Sequence, residues 1–325
     1  MSELSKKWKA RLLSSSIPLE YEVAKILAKY RIHTSYDYSY SRLDGAANKE
    51  FSVDIHGLGF SPFSNSNKIT SRLAIIGECK FRDEGKVWAF LPEVNPLDFS
   101  TFTLGGTCKV VSAFSTKAIN EEPIYNFENE FNYSLKGTEI NLANGEVFDK
   151  DIKHGISQLK YALPYLLKES IEFNTLNHIG DALPFFIIPV LITNAELYLF
   201  NKDISIESIK QTESIEEIAS KIPWLIFGSS LGHDFADHHK MIFKRFKKLK
   251  KDINIESFES KQIKFKNRKY NTYHSPIKEI DNLQESSVYI LNKYYSQFFI
   301  CSIENFDEFI KNIQAVIISS LKRRG

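Results

Sequence analysis

Apolar residues recur along the chain in two registers, one of about 3.6 residues and one of two. The first falls on Leu19, Val23, Ile26, Leu27 and Tyr30, which share one face of a helix over 19–30. Pro18 suits its first turn, and Ser16 suits its N-cap. A polar, tyrosine-rich connection follows. Phe51-Ser52-Val53-Asp54-Ile55 then alternates as a strand does, with Gly57 and Gly59 reading as its end and 61–71 as a loop. Leu73 to Lys80 is nearly all apolar until its last three residues. That pattern suits a strand covered on both faces, in the middle of a sheet.

Residues 81–150 carry short aromatic and β-branched runs, Val87 to Leu91 and Thr107 to Phe114, broken by Gly, Pro and Asn. Irregular structure with a hairpin or two is expected there. Ile152, Ile156, Leu159, Leu163 and Leu166 step by four and three, predicting an amphipathic helix with Pro164 as its one blemish. Phe185 to Thr193 and Glu196 to Phe200 read as two strands joined by a tight turn at Asn194-Ala195. Further on, Ile215 to Lys221 reads as a short helix and Trp224 to Phe227 as a buried strand. A basic helix is expected over 240–251, a strand over Val288 to Leu291 and an amphipathic helix over Phe306 to Leu321. The order predicts an α/β protein with a mixed central sheet flanked by helices. The expected division is a core over 1–202 and a C-terminal α/β extension over 203–325, which could pack on the core as one unit.

Composition places the chain among globular proteins: 325 residues, 43% hydrophobic and 25% charged, enough for a sizeable core. Three widely spaced cysteines, Cys79, Cys108 and Cys301, write neither a disulfide framework nor a cysteine-rich zinc site. The longest apolar run, Phe185 to Ile192, is short of a membrane span. The N-terminus lacks the apolar stretch of a secretory signal, so a reducing cytoplasm is the expected address.

Candidate chemistry concentrates at two strand ends. Glu78-Cys79-Lys80 closes one hydrophobic strand, and Asp54 lies near the end of the preceding one. Alternation puts Glu78 and Lys80 on one face and Cys79 on the other. If the strands are neighbours, the two carboxylates can share a divalent cation, and an oxygen-rich donor set favours Mg²⁺ or Mn²⁺ over zinc. Lys80 then brings positive charge to where an attacking water and a phosphoryl oxygen would sit. The same three residues would also suit a structural ion pair at a strand end in an unrelated α/β protein.

A helix-borne Glu, an Asp on a strand and Glu-x-Lys on the next strand follow the motif order of the PD-(D/E)XK nucleases, the restriction-endonuclease-like superfamily, which this sequence resembles over roughly residues 15–200. Pro18-Leu19-Glu20 looks like the family's opening helix, Phe51 to Ile55 its Asp strand and Gly77-Glu78-Cys79-Lys80 its Glu-x-Lys strand. Val53 stands where Pro is usual before the Asp, and the long Asp54–Glu78 spacing is assigned to the loop at 61–71. Gln158 and Tyr161 are three residues apart, not the four of one subtype. The resemblance implies a restriction-endonuclease-like core and a metal-dependent endonuclease cleaving DNA, as in restriction or phage defence. RNA or branched structures are the alternative substrates, and a catalytically silent nucleic-acid-binding protein is the alternative class. Asp54, Glu78 and the Cys79 backbone carbonyl would hold Mg²⁺, with Mn²⁺ able to substitute, Lys80 would orient water, and Glu20 would act through a water or a second metal. Helical periodicity alone does not choose between Glu20 and Glu22, since both flank the apolar stripe. Double-stranded DNA as substrate makes a homodimer a reasonable expectation.

Charge alters this picture in one respect. Lys+Arg 42 against Asp+Glu 40 leaves a net of only +2, yet residues 240–270 hold twelve basic and three acidic residues. That segment nets +9 and the remainder −7. Lys244, Arg245, Lys247, Lys248, Lys250 and Lys251, interleaved with phenylalanines, are therefore the candidate phosphate contacts, gaining affinity by counterion release. His233, Asp237, His238 and His239 lack further ligands at metal-site spacing and read as a surface turn leading into the basic helix. His56, two residues beyond Asp54, is a candidate substrate neighbour or a structural residue.

Overall fold

The computed structural model describes residues 3–44, 47–94, 106–110, 112–115, 119–176, 182–244, 246 and 276–321. Helices α1 (Glu3–Ser14) and α2 (Ile17–Lys29) lead into strands β1 (His33–Asp44), β2 (Ala47–Ser61), β3 (Ser71–Lys80), β4 (Lys86–Leu91) and β5 (Lys109–Val110). Next come α3 (Glu122–Asn129), β6 (Tyr133–Ser134), β7 (Lys136–Asn141), β8 (Val147–Phe148) and the long α4 (Lys150–Leu176). The second half adds β9 (Phe185–Thr193), β10 (Glu196–Phe200), α5 (Ile206–Gln211), β11 (Ala219–Ile222), β12 (Trp224–Gly228) and α6 (His233–Phe243). It closes with α7 (Pro276–Glu285), α8 (Val288–Tyr295), β13 (Gln297–Ser302) and α9 (Ile303–Ser320).

The expected α/β class and mixed sheet are present, but the strands divide between two sheets. The larger runs β1-β2-β3-β9-β13-β12-β6, with β5 also on β9, and the smaller runs β11-β10-β4-β7-β8. Strands β3 and β9 are parallel, as are β9 and β13. Thus β12 and β13, which lie beyond residue 202, are strands of the same sheet as β3.

The apolar run of β3 is buried on both faces, as its composition predicts. Ala74 and Ile76 meet Ile156, Leu159 and Leu163 of α4 on one side. Leu73 and Ile75 meet Leu19, Val23 and Leu27 of α2 and Phe309 and Ile313 of α9 on the other. Each such side chain removed from water contributes roughly 1.5–3 kcal/mol, so β3 is firmly fixed as a strand on which to mount polar groups.

Several expectations are corrected. The tyrosine-rich connection is β1, a 12-residue strand in which Tyr36, Tyr38 and Tyr40 take alternate positions. Tyrosine suits a half-buried pleated surface, and its hydroxyl disguises that in a polar count. Gly57 and Gly59 lie inside β2 rather than ending it. At Gly57 a Cβ would come within 2.9 Å of Ile32 Cγ2, so glycine there permits close packing. Asn194-Ala195 does join the two expected strands, but β9 stays in the larger sheet while β10 pairs with β4 and β11 in the smaller. Val288 to Leu291 begins helix α8, and the strand is Gln297–Ser302 instead. A short apolar run that is buried all round has no period to distinguish the two. Ile215 to Lys221 is a 3₁₀ turn followed by β11.

Two of the chain's crossings from the larger sheet to the smaller, after β3 and after β9, run side by side. Asn194 fastens this corner, accepting from Arg82 N at 2.6 Å and donating to Arg82 O at 2.8 Å. Thr193 Oγ1 donates to Lys80 O at 2.8 Å. The Glu-x-Lys end of β3 is therefore held by its neighbour's side chains as well as by the ladder. Among the described residues no helix is long and apolar enough to cross a membrane.

Candidate active site

Register brings the predicted carboxylates together. The β2–β3 ladder ends at Ile55 facing Gly77, and Asp54 and Glu78 are the next residues outward on the two strands. On the other side of β2, Tyr36 faces Ile55 and Tyr38 faces Val53, which leaves Asp37 opposite Asp54. Three acidic positions thus stand abreast on three adjacent strands. Like charges directly opposite destabilise a sheet. Asp37 also sits at φ 55, a left-handed conformation uncommon outside glycine, though Asp is among the residues most often found there.

Glu78 is the deepest of the group, 1% exposed. Its Oε1 accepts from Lys80 Nζ at 2.6 Å. Its Oε2 is buried without a hydrogen-bond partner. Lys80 also donates to Gln158 Oε1 at 3.3 Å, and Gln158 Nε2 donates to Ser52 O at 3.3 Å. Asp54 Oδ2 accepts from Cys79 N at 2.7 Å. The Cys79 side chain turns the other way, into the core beneath α2.

The electrostatics follow from this crowding. Burial and the neighbouring Asp54 push the Glu78 carboxyl up to about 8, against the opposing pull of Lys80. Burial raises Asp54 too, opposed by the Cys79 N–H and Lys80. Glu20 rises to about 7, through burial first and then Asp54 and Asp37. Its side chain therefore belongs to the cluster, whereas Glu22 is exposed beside Lys25, Lys29 and Glu304. The start of α2 is fixed there by Ser16, which does not cap its own helix; its Oγ accepts from Phe81 N at 3.2 Å, just beyond Lys80.

A hard cation fits the donor set. Asp54 and Glu78 offer carboxylate oxygens, one of them buried and unpartnered, and Mg²⁺ typically takes one or two carboxylates and keeps several waters. Among the described residues no group of three or more His, Cys, Asp or Glu side chains is arranged to hold an ion.

Other predicted residues lie elsewhere. His56 packs on Tyr38, ring centroids 5.1 Å apart, and burial and Arg72 lower its pKa. The turn expected at 232–239 is helix α6, with His238 and His239 buried rather than on the surface. His238 Nε2 meets Tyr161 O at 3.0 Å, and His239 Nδ1 meets Ser286 Oγ at 2.8 Å. Lys244 is exposed just past the end of α6. Arg245, Lys247, Lys248, Lys250 and Lys251, and the rest of the 240–270 segment beyond Phe246, lie outside the described residues.

Asp37 and Gln158 are members of the site that the sequence reading missed. Gln158 adjoins the apolar stripe of α4, so a polar residue at the margin of a buried helix face was the available signal. Asp37 lies in the segment read as a connection and carried none. Comparison with models of known protein families, with curated proteins and with solved structures finds no match.

Proposed function

We propose that the chain is a metal-dependent endonuclease with a restriction-endonuclease-like core, hydrolysing phosphodiester bonds in DNA. The observation that carries this reading is the buried, unpartnered Oε2 of Glu78 in a row of three acidic positions. Lys80 serves only the other oxygen, so a second positive charge would complete the site. In this reading Asp54 and Glu78 hold Mg²⁺ or Mn²⁺, with the Cys79 carbonyl as a further ligand. A bound divalent ion would supply a more acidic water and neutralise charge on the phosphoryl group.

The chain's own residues do the rest. Lys80 orients the attacking water and stabilises charge developing on the phosphoryl oxygens. Gln158 fixes the Lys80 ammonium through its amide oxygen. Glu20, beside Asp54 and Asp37, would act through a water or a second metal. Double-stranded DNA is the first substrate to test, and a homodimer would bring two sites to its two strands. A role in restriction or phage defence is an analogy at the level of the fold.

The test incubates the purified chain with double-stranded, single-stranded and branched DNA and with RNA, in Mg²⁺, Mn²⁺ or EDTA. Cleavage is expected with either metal and not in EDTA. Asp54→Ala, Glu78→Ala and Lys80→Ala should each slow it by about 10²-fold or more, the scale of losing one charge-stabilising group. Cleavage of RNA alone would move the substrate class. Binding with no metal-dependent cleavage, or variants as active as the parent, would overturn the site.

A further inference from the structure

The β1–β2 ribbon runs on past the end of β3. Tyr40 pairs with Phe51, Arg42 with Lys49 and Leu43 with Asn48, all beyond the stretch where β2 pairs with β3. Near the far end of this ribbon Arg42 folds back over α4. Its Cζ lies 4.0 Å from the centroid of the Tyr161 ring and 5.8 Å from that of Phe51. Stacking fixes the plane of the guanidinium but occupies none of its five N–H groups. Among the described residues those N–H groups meet no hydrogen-bond acceptor.

A second cation stands beside it. Lys160, the residue before Tyr161 on α4, donates to Ser230 O at 3.1 Å and Ser229 Oγ at 3.3 Å. Those two contacts leave one of its three ammonium protons unassigned. Burial lowers the Lys160 pKa, Asp234 opposes that, and Arg42 adds to it, so the two cations are in electrostatic reach of each other. The nearby acid, Asp234, accepts the Tyr161 hydroxyl proton in a short hydrogen bond. It makes no ion pair with either cation among the described residues. Two partly buried positive charges converge, with Asp234 in electrostatic reach of both but paired to neither.

This place is continuous with the carboxylate cluster. Tyr40 is in electrostatic reach of both, its pKa raised by Glu78 and lowered by Arg42. Lys49, opposite Arg42, is five residues from Asp54 along β2, about 17 Å at the rise of an extended strand.

We propose that Arg42 and Lys160 form a phosphate subsite that grips the nucleic-acid backbone away from the scissile bond. The fork of Arg42 suits two oxygens of one phosphate, while Lys160 supplies a point charge. The subsite rests on the nuclease reading for its substrate class. It also gives the near-neutral chain a local phosphate contact that does not depend on the 240–270 segment.

The test measures binding of fluorescein-labelled 24-nucleotide duplex DNA, single-stranded DNA and RNA to the full chain in EDTA, across a salt series. Arg42→Ala and Lys160→Met are each expected to weaken the tightest of these about tenfold, the cost of one lost charged contact, and to lower the salt slope by about one. Arg42→Lys, which keeps the charge and loses the fork, should fall between. Lys210→Ala on the remote α5 should bind as the parent does. Thermal melting of each variant checks that it is folded, and Arg42→Lys and Lys160→Met carry the test if Arg42→Ala melts early. Folded variants that bind like the parent, or a parent that binds none of the probes, would overturn the subsite. Metal-dependent cleavage is read separately on the same probes. Cleavage indifferent to Arg42 and Lys160 removes the subsite and leaves the nuclease. Binding that needs Arg42 without any cleavage keeps the subsite and removes the nuclease.

Discussion

Glu78 holds a carboxyl group where ionisation is expensive. Burial and Asp54 raise its pKa to about 8, from an ordinary value of 4.5. Between those values the unfolded chain has released a proton that the folded chain keeps. Its contribution to stability is therefore fully present below pH 4.5 and is lost as pH rises through 8. In EDTA at pH 8.5, Glu78→Gln should raise the melting temperature by about 3 °C or more, and the gain should vanish near pH 4.5. Thermal melts of both proteins across this range check it. A variant less stable than the parent at pH 8.5 would mean that the Lys80 pair outweighs the burial of charge. The same proton couples to metal, because a cation must displace it and should bind more tightly as pH rises.

At the scale of elements, the site depends on how closely α4 approaches the sheet. A Cβ at Gly155 would come within 2.6 Å of Leu191 Cδ1 and 3.5 Å of Glu78 Cγ. Gly155→Val should therefore push the helix outward and destabilise the fold by about 1–3 kcal/mol, as overpacking does. By loosening Gln158 from Lys80 it should also lower the cleavage rate. Chemical denaturation and a cleavage assay measure the two effects, and a variant unchanged in both would show that the helix is free to shift.

The same scale shows what the sequence made legible. Strand β3 declared itself because an apolar run followed by Glu-x-Lys has few other uses, and α2 and α4 declared themselves by their stripes. Strand β1 hid because tyrosines count as polar, and Asp37 was hidden with it. The tight turn at Asn194 was legible, but a short sequence cannot say whether the two strands it joins pair with each other or leave for different sheets, as these do. The choice of Glu20 over Glu22 required the position of α2 against β3, which Ser16 and Phe81 fix and no periodicity encodes.

At the scale of the whole molecule, the net charge of +2 averages very different regions. Acidic positions gather at Asp37 within β1, Asp54 within β2 and Glu78 near the end of β3. Arg42 and Lys160 lie further along the same ribbon and helix, and α6 leads from Asp234 beside them towards the basic run that starts at Lys244. A polyanion gripped at Arg42 and Lys160 would run along the ribbon to the carboxylates. Such a path makes sense only if the acidic end is neutralised by a cation.

Mn²⁺ binding, followed through its paramagnetic signal during titration at pH 8, tests that requirement most directly. The parent chain is expected to take up Mn²⁺ at the carboxylate cluster, with Mg²⁺ competing, and Asp54→Asn and Glu78→Gln should each abolish that uptake while remaining folded. Equal uptake by the parent and both folded variants, or none by the parent at millimolar Mn²⁺, would contradict the account.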